Sequence, residues 1–549
     1  MPVHPKPLFA AIFLLTVTVL LPGCKLLRSG TGGDDERANS GGFRSSAEGL
    51  VIPRVESLSS GDANGLYQPG DLISIDVQFT QPVTVIGTPK LQLDSGPTVG
   101  EANYVSGNES PTLRFAYLVR TGDTTPLLKY LGTRALILPP GSFIQGAGQT
   151  AANVELPVPG TPLSLSGSSQ ISLGLRRWVV DEDNAASGLN YDGAAQTSPP
   201  SFAVHNGELY VSWLEEFNFR SQLRVKKRTA TGWISVDGNQ ATGLNFDVNQ
   251  TATSFHLFSF GDYLYATWIE FINNSDFGLR IRRFDGNQWI FVDGNGPNGV
   301  NLDPGELAIG ARLMEYSGNL YVMWGERVAG TVRPLVKKFN GNNWVIPSVN
   351  SPTDLVLGAD FRSGQIYIKH NNVLHTVGLL SNNDGVAQVR VRRYDGAGVW
   401  TFVDGGVGLN VNPAQSAFLG SAASYKGRLL VAWMEGNPFV IHARAFDGQQ
   451  WIPVNTNGIN RDLTRSVRGP QFSVQGSHLF LSWGEERNGP TTDQIKVSRL
   501  AAQGWIETQG QGINRDPNAS SVGSGSSIVL GPFLFKAWRE DNRIRVSRY

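Results

Sequence analysis

Cysteine is almost missing from this chain of 549 residues: Cys24 is the only one, against 64 glycines and 30 prolines. No intramolecular disulfide can form, so stability must come from packing. Neither sign of charge is in excess. Lys and Arg number 46, as do Asp and Glu, and the formal net charge is zero. That balance excludes an overall field drawing the chain to nucleic acid or to an anionic membrane. The seven histidines lie scattered at positions 4, 205, 256, 370, 375, 442 and 478. No HExxH pair, nucleophile elbow, Cys–His pair, P-loop or DxDxDG loop occurs. His370 and His375 form the one close pair, and they read as neighbours on adjacent strands rather than a metal site. The expectation is therefore a chain that is not an enzyme and needs no cofactor. Asp-Gly-Asn turns such as those of Asp237 and Asp293 carry oxygen ligands that suit calcium, but turn chemistry alone accounts for them.

Long apolar runs are equally scarce. The one from Leu8 to Leu21 is too short for a stable membrane helix, follows His4 and Lys6, and precedes small residues. Leu21-Pro22-Gly23-Cys24 resembles a bacterial lipobox. That resemblance implies a signal peptide over 1–23 and lipidation at Cys24, with an exported chain anchored to a bacterial outer membrane or cell surface. Residues 24–50 are rich in Gly, Ser and charge, without periodicity, as in a flexible tether.

What is abundant is short β-periodic text between turns. Over 51–173, Leu72–Phe79 and Thr112–Val119 alternate with period two, separated by Pro-Gly, Gly-Thr-Pro and Ser-Gly clusters. The text YQPGDLISIDVQF, VTVIGTPKLQLDSG, ANYVSG, PTLRFAYLVRTGD and AANVELP resembles Ig-like modules of bacterial adhesins. The resemblance implies a β-sandwich acting as a spacer, without the calcium site of an Asp-rich closing segment.

From 174 to 549 the text repeats. Trp178, Trp233, Trp289, Trp344, Trp400, Trp451 and Trp505 head copies spaced by 55, 56, 55, 56, 51 and 54 residues. About four short strands per copy at this period predict a seven-bladed β-propeller, making the chain all-β. If each Trp strand is outermost, the first one (Arg176–Val180) must pair with the last three (Ser527–Leu530, Phe533–Trp538, Arg543–Tyr549) to close the ring. Strand order and the late Trp resemble kelch and galactose-oxidase propellers, with Trp-x-Glu where those carry Gly-Gly.

Two polar motifs recur. Trp-x-Glu occurs as Trp213/Glu215, Trp268/Glu270, Trp324/Glu326, Trp433/Glu435, Trp483/Glu485 and Trp538/Glu540. Gly-[Leu/Val/Ile]-Asn-x-[Asp/Asn] occurs at 188–192, 243–247, 299–303, 408–412, 458–462 and 512–516. It supplies Asn190, Asp192, Asn245, Asp247, Asn301, Asp303, Asn460, Asp462, Asn514 and Asp516. Successive turns of an antiparallel blade alternate between its ends, which puts both motifs on one face. The copy from Trp344 to Val399 lacks both, with Val377 and Leu379 at the Trp and Glu positions. Joint loss suggests mutual contact. The Glu then either accepts from loop N–H groups, pairs with the basic strand (Glu215 with Arg224, Glu270 with Arg280), or joins a ring of ligand sites.

All 13 Trp fall in repeated positions, so a sugar platform would need Tyr, Phe or a partly exposed repeat Trp. The expected function is surface binding or adhesion to a protein or surface polymer. A glycan-binding lectin is one alternative, and a glycosidase or polysaccharide lyase with acidic residues from different blades is another. Specificity is expected where the repeat fails, at Val377, Leu379, Leu380, Ser381, Asn382 and Asn383.

Overall fold

A computed structural model describes residues 51–549 apart from 183–185, 239–242, 273–275, 295, 297–298, 349–354, 356, 358–364, 456–457, 487–492, 503, 510–511 and 520–524. Cys24 and the tether lie outside the described residues.

The described chain is all-β. The N-terminal domain is built on two long antiparallel strands, Leu72–Ile86 and Ser110–Leu118, in the register Ile73↔Tyr117. The first strand runs on past Phe79 because the pairing slips between Gln78 and Val83, so Gln81-Pro82 is carried in an irregularity. Period-two alternation puts Ile73, Ile75, Val77, Leu113, Phe115 and Tyr117 in one core.

Residues 179–549 form seven four-stranded sheets. Blade 1 is typical: an inner strand Ser201–His205, a second Glu208–Phe217, a third Arg220–Thr229 and an outer Gly232–Ser235. In blade 7 the outer strand comes from the start of the array. Val179–Val180 pairs antiparallel with Arg543–Arg548, beside Phe533–Glu540 and Ser527–Leu530. The ring therefore closes by joining its two ends, which gives blade 7 its full four strands.

Tryptophan does two jobs. The second-strand residues Trp213, Trp268, Trp433, Trp483 and Trp538 are buried to below 2% exposure, wedged between blades. The outer-strand residues Trp233, Trp289, Trp344 and Trp451 donate their indole N–H to Asp181, Val236, Val292 and Val403 carbonyls, each one copy back in the array.

The N-terminal domain docks on blades 6 and 7. Arg499 pairs with the Asp71 carboxylate and donates to the Pro69 carbonyl at 2.9 Å, and the Tyr549 hydroxyl donates to Gln68 Oε1 at 2.5 Å. These contacts use turns between inner and second strands or between third and outer strands. Turns between second and third strands, and the links between blades, open on the opposite face.

Candidate functional site

That opposite face carries both repeated motifs. In blade 2, Glu270 Oε2 accepts from Trp268 Nε1 (2.8 Å) and the Phe246 amide (2.8 Å), while Oε1 accepts from the Asp247 amide (2.7 Å). Glu215, Glu326, Glu435 and Glu540 repeat this three-donor pattern. Glu485 accepts from Trp483 Nε1 and the Arg461 amide. The Asn of each loop reaches the other way. Asn245 Oδ1 accepts from Leu223 N of blade 1 at 2.9 Å, and Asn190, Asn301, Asn410, Asn460 and Asn514 do the same to Ile544, Leu279, Val389, Ile441 and Ile495. The last position caps its own turn. Asp192, Asp247, Asp303, Asn412, Asp462 and Asp516 accept from the amide two residues on. Each loop thus ties two neighbouring blades.

The leading glycine follows from the same geometry. Gly243 sits at φ +54°, and a Cβ there would lie 2.5 Å from the Leu223 carbonyl oxygen, so only Gly fits. Burial raises the Glu270 carboxyl, outweighing the opposing effect of its three N–H donors. Among the described ion pairs, Arg224 and Arg280 do not meet Glu215 and Glu270. They pair with Asp237 at 3.6 Å and Asp293 at 3.2 Å, all four side chains being buried. Those aspartates are therefore arginine partners, and among the described residues no group of three His, Cys, Asp or Glu is placed to hold a metal.

Blade 4 departs as its sequence does. Leu355 is fully buried there and donates its amide to the Tyr321 hydroxyl at 3.4 Å. The proposed contact patch is corrected at its start: Val377 is fully buried in the core between blades 4 and 5, and Leu379 packs against that core. Val377 cannot meet a partner, whereas Leu379 is half-buried. Leu380 and Asn382 are half-buried, while Ser381 and Asn383 are exposed on a turn closed by Asn382 Oδ1, which accepts from the Asp384 and Val386 amides. His370 and His375 do lie on adjacent strands, rings 5.9 Å apart, with His370 Nδ1 2.8 Å from Ser424 Oγ.

What breaks the symmetry of this face is the variable position of the loop motif. In blades 1 and 2 it is aromatic: Tyr191 is 49% exposed and Phe246 44%. A guanidinium lies over each ring, Arg224 at 4.6 Å and Arg280 at 3.9 Å. Blades 3 and 5 have Leu302 and Val411, both exposed, and blades 6 and 7 have Arg461 and Arg515. On the same face the hairpin of blade 1 presents Phe219, 90% exposed and held at φ +62°. A bulky residue in that backbone region is uncommon. Sequence reasoning passed over Tyr191 and Phe246 because it weighed the invariant positions of the motif and not the variable one.

No family model matches the chain, and no curated protein does. Solved structures do. A thermostable family-43 glycoside hydrolase is 12% identical, with TM-score 0.27, covering 44% of this chain and 88% of its own. The endo-arabinase from Bacteroides thetaiotaomicron is 12% identical, with TM-score 0.27, covering 55% and 94%. The Trypanosoma rangeli sialidase in complex with sialic acid is 10% identical, with TM-score 0.33, covering 64% of this chain and 54% of its own. At these values the likeness is one of fold and assigns no activity. It does correct the expectation that the chain is not an enzyme. That expectation rested on missing contiguous motifs, and these three matches are enzymes by name. Catalytic carboxylates drawn from separate blades leave no contiguous signature. The seven-bladed ring itself is read from this chain's own sheets, and the comparisons add no activity to it.

Proposed function

We propose that the face bearing the loop motifs recognises a carbohydrate polymer at the surface of a bacterial cell. The observation that carries this is the pair Tyr191 and Phe246. They hold equivalent positions in adjacent blades, each about half exposed and each backed by a guanidinium that fixes the ring. Two such platforms, one blade apart, suit stacking against separate sugars of one chain. Among the described residues the contacts of the N-terminal domain lie at the opposite ends of blades 6 and 7, away from this face. On this reading the lipid on Cys24 and the tether over 24–50 hold the protein at the membrane, and the N-terminal module serves as a spacer.

Affinity electrophoresis through soluble polysaccharides, neutral and acidic, tests the reading, with product analysis of the same incubations reporting any cleavage. The native protein is expected to be retarded by at least one polymer. Tyr191→Ala combined with Phe246→Ala should weaken that retardation about tenfold, the loss of two stacking contacts of roughly 0.5–1.5 kcal/mol each. Retardation unchanged in the double variant, or none by any polymer, contradicts the reading.

A further inference from the structure

Along the axis of the propeller one layer of the inner strands does not repeat. It is fixed by register: in every blade it pairs with the residue just before the second-strand Trp or its replacement. His256 lies opposite Thr267, Arg312 opposite Met323, and Tyr367 opposite Thr376. Blades 1 and 5 have Ser201 and Ser421 at this level, blade 6 has Gln471, and blade 7 has Ser526, whose carbonyl accepts from Ala537 N just before Trp538. All seven side chains are polar, yet they range from Ser to Gln, His, Tyr and Arg. A structural role common to seven blades would give seven similar residues, whereas a single ligand on the axis would not.

The backbone is adjusted around this layer. In four blades the ladder slips directly before it, between Thr253 and His256, Ile309 and Arg312, Leu419 and Ser421, and Arg468 and Gln471. The slips use left-handed backbone at Ser254 (φ +49°), Gly310 (φ +67°) and Gly469 (φ +52°). Bulges of this kind re-aim side chains and gather beside binding sites.

Three consecutive blades give the layer its chemistry. Arg312 is exposed, though it sits on an inner strand, so solvent reaches it along the axis. Its one hydrogen bond among the described residues runs from Nη1 to the Phe255 carbonyl at 3.2 Å, and no described carboxylate pairs with it. His256 Nδ1 accepts from the Leu313 amide at 3.2 Å, which leaves the proton on Nε2 as a donor. Burial and then the Arg312 charge bring its pKa down to about 3, so it stays neutral at physiological pH. Burial raises the Tyr367 hydroxyl, which stays protonated and has no hydrogen-bond partner among the described residues. Donors are in surplus here and acceptors are missing.

We propose that Arg312, with His256 Nε2–H and the Tyr367 hydroxyl, binds a monoanionic oxygen group, the carboxylate or phosphate of a ligand entering the axial channel. An acidic sugar would bring such a group to the polymer reading above. The site itself stands on other residues than Tyr191 and Phe246, and the two can fail separately. The guanidinium fork matches a planar carboxylate bidentately, and the two neutral donors add selectivity without changing the charge.

Calorimetric titration of the full folded chain with D-glucuronate, with inorganic phosphate and with D-glucose as neutral control tests the assignment. One of the anions is expected to bind and glucose is not; which anion binds tells the carboxylate from the phosphate. Arg312→Gln should weaken anion binding by at least about tenfold, Tyr367→Phe by a few-fold. Arg312→Lys, which keeps the charge and loses the fork, should fall between native and Arg312→Gln, guarding against a mere folding defect. Tyr191→Ala with Phe246→Ala should leave the anion titration unchanged even where polymer retention is lost. No binding of either anion, or equal binding by native protein and Arg312→Gln, overturns the proposal.

Discussion

Glu435→Ala is expected to destabilise the propeller by roughly 3–5 kcal/mol, near the upper end for single substitutions. The carboxylate is 2% exposed and accepts from Trp433 Nε1 at 2.9 Å, Val411 N at 3.0 Å and Asn412 N at 2.5 Å. Alanine leaves three donors unsatisfied in a space water does not reach freely, and that desolvation cost exceeds the net worth of the bonds themselves. Glu435→Gln should cost less, roughly 1–2 kcal/mol, since an amide oxygen at the Oε2 position keeps two donors and only Asn412 N loses its acceptor. Urea unfolding followed by Trp fluorescence reads both. Blade 4 does without the motif, so a variant lacking one tie should still close its ring, with a lower midpoint. Equal midpoints for the three proteins would remove the loop–Glu contact from the account of stability.

Arg499→Met is expected to uncouple the N-terminal domain from the propeller, at a cost of roughly 3–5 kcal/mol. Arg499 and Asp71 are both nearly buried, and Asp71 further accepts from the Gln68 amide at 2.7 Å and lies 3.7 Å from His478 Nε2. Methionine leaves the carboxylate in a dry junction with much less compensation. Burial by itself would raise the Asp71 pKa. The His478 and Gln68 hydrogen bonds and the Arg499 charge outweigh it and hold the pKa below the ordinary aspartate value. The sign follows: this group adds stability above the unfolded aspartate pKa, about 3.9, and loses it as pH falls through the lower folded value. Native docking should therefore weaken only in strong acid. In Arg499→Met the onset should move toward neutral pH. Differential calorimetry is expected to resolve two transitions in the variant where the native junction couples them, and one unchanged transition would contradict this.

Much of the fold is legible because a propeller writes itself into sequence as a period. The seven Trp, their spacing and the unmatched strands at each end contain the blade count and the closure, since each strand must find a partner. The long first strand was less legible, because Gln81-Pro82 reads as a break while a slip in pairing carries the chain through it. The site was legible only in outline. Motif residues identify themselves by repetition, and repetition is what blade-to-blade ties require. Tyr191, Phe246, His256, Arg312 and Tyr367 sit at positions whose residue type changes from blade to blade, so repetition does not flag them. His256 and Arg312 could be aligned only by counting back from Trp268 and Trp324 and allowing for a bulge, which a single sequence does not announce. Val377 was misplaced for the converse reason: a residue that breaks the motif need not leave the core, and valine simply fills part of the space of the missing Trp.

The central claim is that repeated residues build the ring while exceptions to the repeat bind. One paired measurement tests it most directly: the urea midpoint and the polysaccharide retardation of Glu435→Gln, set against those of Tyr191→Ala with Phe246→Ala. The account predicts a crossed result, a lower midpoint with native retardation for the first, and a native midpoint with lost retardation for the second. If both variants lose stability and retardation together, or if Glu435→Gln alone abolishes retardation, the division between ring and site is wrong.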